Sequence, residues 1–159
     1  MRSVIARLSL GFSLIALTAV LLLASDWHQW RPAAQRIPQV AIVLLSSQPV
    51  LAEGLEGALE TLRENGFIDG QNIALRQYNA EGDMATLNAI ARQVTDGQFD
   101  MVMTFSTPAM QAVAKANTKG KAIHVFGLVA DPFAAGVGLR RDAPLDHPRH
   151  LVGTGIPLP

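Results

Sequence analysis

Three short polar segments carry the side chains best suited to chemistry, and each follows an apolar run: Ser46-Ser47-Gln48-Pro49, Ser106-Thr107-Pro108 and Ala130-Asp131-Pro132. The second is physically the most specific. Ser106 and Thr107 supply two hydroxyls, and Pro108 presets the first turn of a following helix at a position where no N–H is needed. A helix start presents unpaired N–H groups and a partial positive charge. It therefore suits a carboxylate, with about 0.3–2 kcal/mol from the helix end alone. Read by itself, the triplet favours Thr107 as simply the cap of its own helix. Asp131 is suited to an ammonium group and equally to forming a turn before Pro132. Ser46, Ser47 and Gln48 offer hydrogen bonds without charge, in what is otherwise an ordinary turn.

Bond-breaking chemistry finds little support. Ser106 does not stand in a Gly-x-Ser-x-Gly elbow, no phosphate-binding P-loop occurs, and no Gly-x-Gly-x-x-Gly follows the first apolar run. The imidazoles are His28, His124, His147 and His150. His147 and His150 stand near Asp142 and Asp146, but Pro144 and Pro148 break the segment that would have to present them as a metal set. Cysteine is absent, which removes a thiolate nucleophile, a disulfide framework, a cysteine zinc site and lipid attachment after Ser25, where Asp26 stands instead. The expectation is a binding protein without catalytic residues, metal or cofactor. With 13 basic and 13 acidic residues and no basic stripe along the sequence, nucleic acid is not an expected partner.

The elements that must position the three segments follow from hydrophobic periodicity. Val40 to Leu45 is a continuous apolar run, as in a strand covered on both faces. Leu51, Leu55, Ala58, Leu59 and Leu62 recur at helical spacing, with glutamates on the other face and Asn65-Gly66 as a stop. Ile73 to Tyr78 reads as a second strand. Met84, Leu87, Ile90, Ala91 and Val94 form a second helical stripe, with Asp83 as its cap. Met101 to Phe105 is a third strand. Ser106-Thr107-Pro108 opens a third helix through Met110, Val113 and Ala116, and residues 117–121 close it. Ala122 to Phe126 is a fourth strand, and Leu151 to Gly155 begins a further one. Strands alternating with crossover helices predict an α/β fold, a three-layer open parallel sheet of Rossmann-like type. Its ligand edge is the one formed by the carboxyl ends of the strands.

Ahead of this domain, Arg2 and Arg7 precede an uncharged apolar run, Leu8 to Ala24, of roughly 17 residues, or about 26 Å as a helix. Residues 1–25 are read as a signal peptide or membrane anchor, an N-terminal hydrophobic helix in either case. Residues 26–38 are read as a tether containing Trp27 and Trp30, and the domain is expected outside the cytoplasm.

The order of these features resembles a known family. The apolar strand and polar turn lead to an acidic helix ending Glu64-Asn65-Gly66-Phe67-Ile68-Asp69-Gly70-Gln71-Asn72. Gly82-Asp83, Ser106-Thr107-Pro108-Ala109 and Val129-Ala130-Asp131-Pro132 follow. From about Gln39 to Thr154 the chain is similar to the first lobe of the ABC-transporter substrate-binding proteins whose characterised members bind aromatic amino acids. The resemblance implies the type I periplasmic-binding-protein fold, with residues 39–159 as its first lobe and the second lobe absent from this sequence. It implies a ligand set of Ser46, Ser47, Gln48, Ser106, Thr107, Pro108 and Asp131. Ser106 and Thr107 would take a carboxylate, Asp131 would meet an amino group, and Ser46 to Gln48 would line the cleft. The family's lipid-bearing cysteine is missing here. The implied partners are a small amino-acid-like ligand and the inner-membrane permease of an ABC transporter, with the membrane contacted through the N-terminal helix if it is retained. The alternative is a membrane-tethered periplasmic ligand-sensing module of a signalling protein.

Overall fold

The computed structural model describes Thr18 and residues 36–156. The chain divides into two units at Arg36/Ile37. Apart from Thr18, the expected leader and most of the expected tether lie outside the described residues. Among the described residues no helix is long and apolar enough to cross a membrane.

The second unit alternates strand and helix as the periodicity predicts. Its elements are β1 (Gln39–Leu44), α1 (Pro49–Glu64), β2 (Ala74–Asn79), α2 (Met84–Val94), β3 (Met101–Phe105), α3 (Thr107–Ala116), β4 (Ile123–Val129) and β5 (Leu151–Gly155). Local chemistry sets their ends. Pro49 occupies the first turn of α1. At the other end Gly66 takes φ 83°, and two reversed hydrogen bonds close the helix, Gly66 N–H to Arg63 O at 3.0 Å and Phe67 N–H to Leu62 O at 2.9 Å. A side chain would resist that left-handed step, and glycine does not. Asp83 caps α2 as expected, accepting the Thr86 N–H at 2.6 Å. That bond holds its carboxyl below the usual range.

The sheet is wholly parallel with strand order β2-β1-β3-β4-β5. The order reverses between β1 and β3, because β2 pairs on one side of β1 and the chain then crosses to the other. Alternation along the strands sorts the core into two layers. Ile42, Leu44 and Phe105 pack with Leu51 and Leu55 of α1. On the opposite face Ala41, Val43 and Val102 pack with Leu87, Ile90, Ala91 and Val94 of α2 and with Ala109, Ala112 and Val113 of α3. A third cluster, with Met110, Phe126, Val129 and Leu151, extends the core toward β5.

β4 departs from expectation. It does not stop at Phe126 but runs to Val129, through a register shift at Gly127 and Leu128. Leu128 takes φ 52° and packs against the α1 layer. A Cβ on Gly54 would lie 2.3 Å from Leu128 Cδ1, so the absence of a side chain at Gly54 is what admits the leucine.

One polar pair lies inside the sheet. His124, the register partner of Val102, is fully buried, with Nε2 2.9 Å from Thr104 Oγ1 and Nδ1 without a partner. Burial, and then the charge of His150, push its pKa from 6.5 down to about 4. Between those values the unfolded chain takes up a proton that the folded chain excludes. Stability from this residue is therefore intact above pH 6.5 and is lost as the pH falls toward 4, by about 3 kcal/mol in all. Urea denaturation at several pH values should show this acid-side loss in the parent and a flattened slope in His124→Leu. An unchanged slope in the variant would assign the loss to other groups.

Candidate functional site

Register brings the three polar segments together. Leu44 of β1 pairs with Phe105 of β3, and Phe105 pairs with Gly127 of β4, so these strands end side by side. The loops that follow them, at Ser46, Ser106 and Asp131, stand along one edge of the sheet on three adjacent strands. β2 ends at the same edge, with Asn79 opposite Leu44. The strand-order reversal lies between the first two loops, which is where open α/β sheets take ligands.

The backbone at this edge is unusual. Among the described residues, the non-glycine residues with positive φ are Glu81 (φ 50°), just past β2, Ser106 (φ 113°), just past β3, and Leu128 (φ 52°), the penultimate residue of β4. Ser106, with ψ 153°, is in a region that glycine occupies almost alone, at about 1–3 kcal/mol for any other residue. Such strain persists only where the surrounding structure over-determines it.

Strain at Ser106 changes the roles expected at the start of α3. Ser106, and not Thr107, is the cap: its Oγ accepts the Ala109 N–H at 3.4 Å and its carbonyl accepts the Met110 N–H at 3.1 Å. The Ser106 N–H donates to Gly127 O at 3.2 Å, locking the helix start to β4. Thr107 is thereby released from capping, and its N–H and hydroxyl have no partner among the described residues. Pro108 sits in the first turn and is half-buried.

At the end of β1, Ser46 Oγ is buried without a hydrogen-bond partner. An orphaned buried hydroxyl costs about 1–3 kcal/mol, which a bound polar group would recover. Ser47 is engaged: Asn79 Nδ2 donates to its Oγ at 2.7 Å. The Glu81 N–H in turn donates to Asn79 Oδ1 at 3.0 Å. Gln48 is exposed, and its carbonyl accepts the Leu51 and Ala52 N–H groups, each at 3.0 Å. Asn79 and Glu81 escaped the sequence reading. The signal that could have found them is their position, at the end of a strand in the same sheet.

Asp131 has two sets of partners. Its Oδ1 accepts N–H bonds from Phe133 at 3.0 Å and Ala134 at 3.1 Å, forming the turn after β4. Its Oδ2 accepts from Arg141 Nη2 at 2.8 Å, and the Arg141 guanidinium lies 5.0 Å from the centre of the Phe133 ring. The turn-forming role is thus realised, and an ammonium would have to compete with Arg141 for one oxygen. Hollows of about 830, 520, 400 and 180 Å³ on other faces are lined by none of the seven residues.

The Ser106 geometry generates a paired expectation. Ser106→Gly relieves the backbone and loses only a few tenths of a kcal/mol at the cap, so it should be at least as stable as the parent. Ser106→Ala keeps the strain and loses the cap, and should be less stable by about 1 kcal/mol. Urea denaturation of both variants checks the order, and a glycine variant weaker than the alanine variant would remove the strain.

The model of a family described as ABC transporter substrate binding protein matches residues 39–145. A curated relative, the "Tyrosine-binding protein" of Clostridioides difficile (strain R20291), is 34% identical over 98 residues, covering 62% of this chain and 28% of that protein. A solved substrate-binding protein with adhesive properties from Clostridium difficile, in a ligand-free, open structure, is 30% identical with a TM-score of 0.67. The match covers 75% of this chain and 39% of that one. The fold is shared with an ABC domain from Streptococcus pneumonia, solved in complex with L-Trp: TM-score 0.65, 23% identity, 74% of this chain and 38% of that one. The chain thus spans between about a quarter and two-fifths of the length of these proteins. Its matched residues take in β1 through β4, and with them all three strand-end loops. The chain belongs to the family of ABC transporter substrate-binding proteins.

Proposed function

We propose that residues 39–159 act as one lobe of a two-lobed clamp that captures a small amino-acid-like ligand outside the cytoplasm. The role is that of the solute-binding component of an ABC transporter, handing its ligand to an inner-membrane permease by binding and release, without catalysis. The observation that carries this reading is the pairing of two unmet polar demands on adjacent strands. The Ser46 hydroxyl is buried and unpartnered, and the free N–H and hydroxyl of Thr107 stand at the start of α3.

A carboxylate suits this pair. The helix end favours negative charge, and the Thr107 N–H and hydroxyl donate to it, while Ser46 can donate from the neighbouring strand. Ser47, Gln48 and Pro108 line the same edge. Asp131 supplies the negative charge an α-ammonium would approach, once Arg141 is displaced. The names of two proteins similar to this chain, one tyrosine-binding and one solved with L-Trp, support an aromatic amino acid as the ligand. A clamp that holds such a ligand at micromolar strength has about 8 kcal/mol. A single lobe with roughly half the contacts therefore binds in the millimolar range or weaker.

The test is an NMR titration of the isotope-labelled chain with L-tyrosine and L-tryptophan at millimolar concentration. The amides of Ser46, Ser106 and Thr107 should shift together. Tyramine, which lacks the carboxylate, should leave Ser106 and Thr107 unmoved. Shifts confined to other faces, or equal shifts with tyramine, would overturn the assignment.

A further inference from the structure

The lysines of this chain are Lys115, Lys119 and Lys121, six residues apart at most, and the fold adds Arg92 from α2 to the same patch. Arg92, Lys119 and Lys121 line a hollow of about 180 Å³ with Thr95 and Thr118. Arg92 and Lys115 line an adjoining one of about 520 Å³. None of the four has a carboxylate within ion-pairing distance among the described residues; Lys121 Nζ donates instead to the main-chain carbonyl of Asp96 at 2.8 Å. Arg92 and Lys115 stand in the last turns of α2 and α3, where cations stabilise the carbonyl ends of helices. That accounts for two of the four. Lys119 and Lys121 lie beyond the helix end and are exposed. Asp96 is the acid nearest in sequence to the patch, and its carboxylate accepts from Gln98.

The position of the patch says what it meets. Lys121 stands two residues before β4, whose Ile123 N–H donates to Asp100 O, and the Asp100 N–H donates to Gln39 O at the start of β1. The basic patch is therefore on the amino-terminal edge of the sheet, where β1 begins. The three polar loops occupy the opposite edge, a strand length of about 17 Å away. We infer that this edge is a docking surface for the phosphate headgroups of an anionic bilayer, held by Arg92, Lys115, Lys119 and Lys121. Exposed cations gathered on one face, without carboxylate partners among the described residues, fit a headgroup layer. The inference does not depend on what the opposite edge binds.

Because every lysine of the chain is in the patch, modification of lysine side chains reads this surface alone. The full chain is placed in nanodiscs of phosphatidylcholine, with or without phosphatidylglycerol, and treated with an amine-acylating reagent. Acylation at Lys115, Lys119 and Lys121 is followed by mass spectrometry. The expected result is modification several-fold slower in the phosphatidylglycerol discs, returning to the phosphatidylcholine rate in about 0.5 M salt. Arg92→Gln, which leaves the lysines in place, should reduce the protection about fivefold. Equal rates in the two lipids would overturn the inference. So would equal protection by inorganic phosphate alone, which would make the patch a small-anion site. Protection that rises with protein concentration in neutral discs would assign the patch to the glutamate-rich face of α1 on a second copy, and would also overturn it.

Discussion

The parallel pairing of β1, β3 and β4 in a common register is the constraint on which the rest depends. Leu44, Phe105 and Gly127 lie in one row, so the chain leaves three neighbouring strands at the same height. That row exists because the strand interiors are apolar on both faces. Ala41 and Val43 are sealed by one pair of helices, Ile42 and Leu44 by the single helix on the other side. A slip of one residue in β1 would exchange the side chains packed on its two faces, Ala41 and Val43 for Ile42 and Leu44, and spoil the packing of both helical layers. The core thus fixes the position of the polar loops without touching them.

The same arrangement explains why strain gathers at one edge. The chain must turn from strand to helix within one or two residues there. At Ser106 the turn is tied down from both sides, by its N–H to Gly127 and by its carbonyl and hydroxyl to the first turn of α3. The capping work falls to Ser106, and Thr107 keeps its polar groups free. At the end of β4 the irregularity at Leu128 sends that side chain into the α1 layer, where Gly54 makes room for it. The strand continues to Val129 before Asp131 forms its turn. Distortion at this edge is held in place by bonds running back into the sheet.

Charge is distributed as unevenly as strain. The outer face of α1 carries Glu53, Glu56 and Glu60, with Arg63 paired to Glu60, while the lysines and Arg92 gather where α2 and α3 end. A chain with equal numbers of acids and bases thus has two differently charged sides. Helix order brings this about: the sheet reversal puts α1 on one face and α2 and α3 on the other.

Much of the fold is legible in the residues themselves, because burial on both faces demands unbroken apolar strands and helical stripes at fixed spacing. Val40 to Leu45, Met101 to Phe105 and the stripe from Met84 to Val94 lie within a residue of the observed elements. Capping is local, so Asp83 and Gly66 were also readable. The strand-end position of Ser46, Ser106 and Asp131 follows from the same periodicity. Their partners do not. That Ser47 meets Asn79, that Asp131 meets Arg141, and that Ser46 is left without a partner depend on contacts across 10 residues or more for the bonded pairs, and on close packing for the orphan. The grouping of Arg92 with the lysines belongs in the same class, since no spacing in the sequence announces it. Local periodicity is written in neighbouring residues, whereas pairing between distant ones is settled only when the sheet closes and fixes which side chains share a surface.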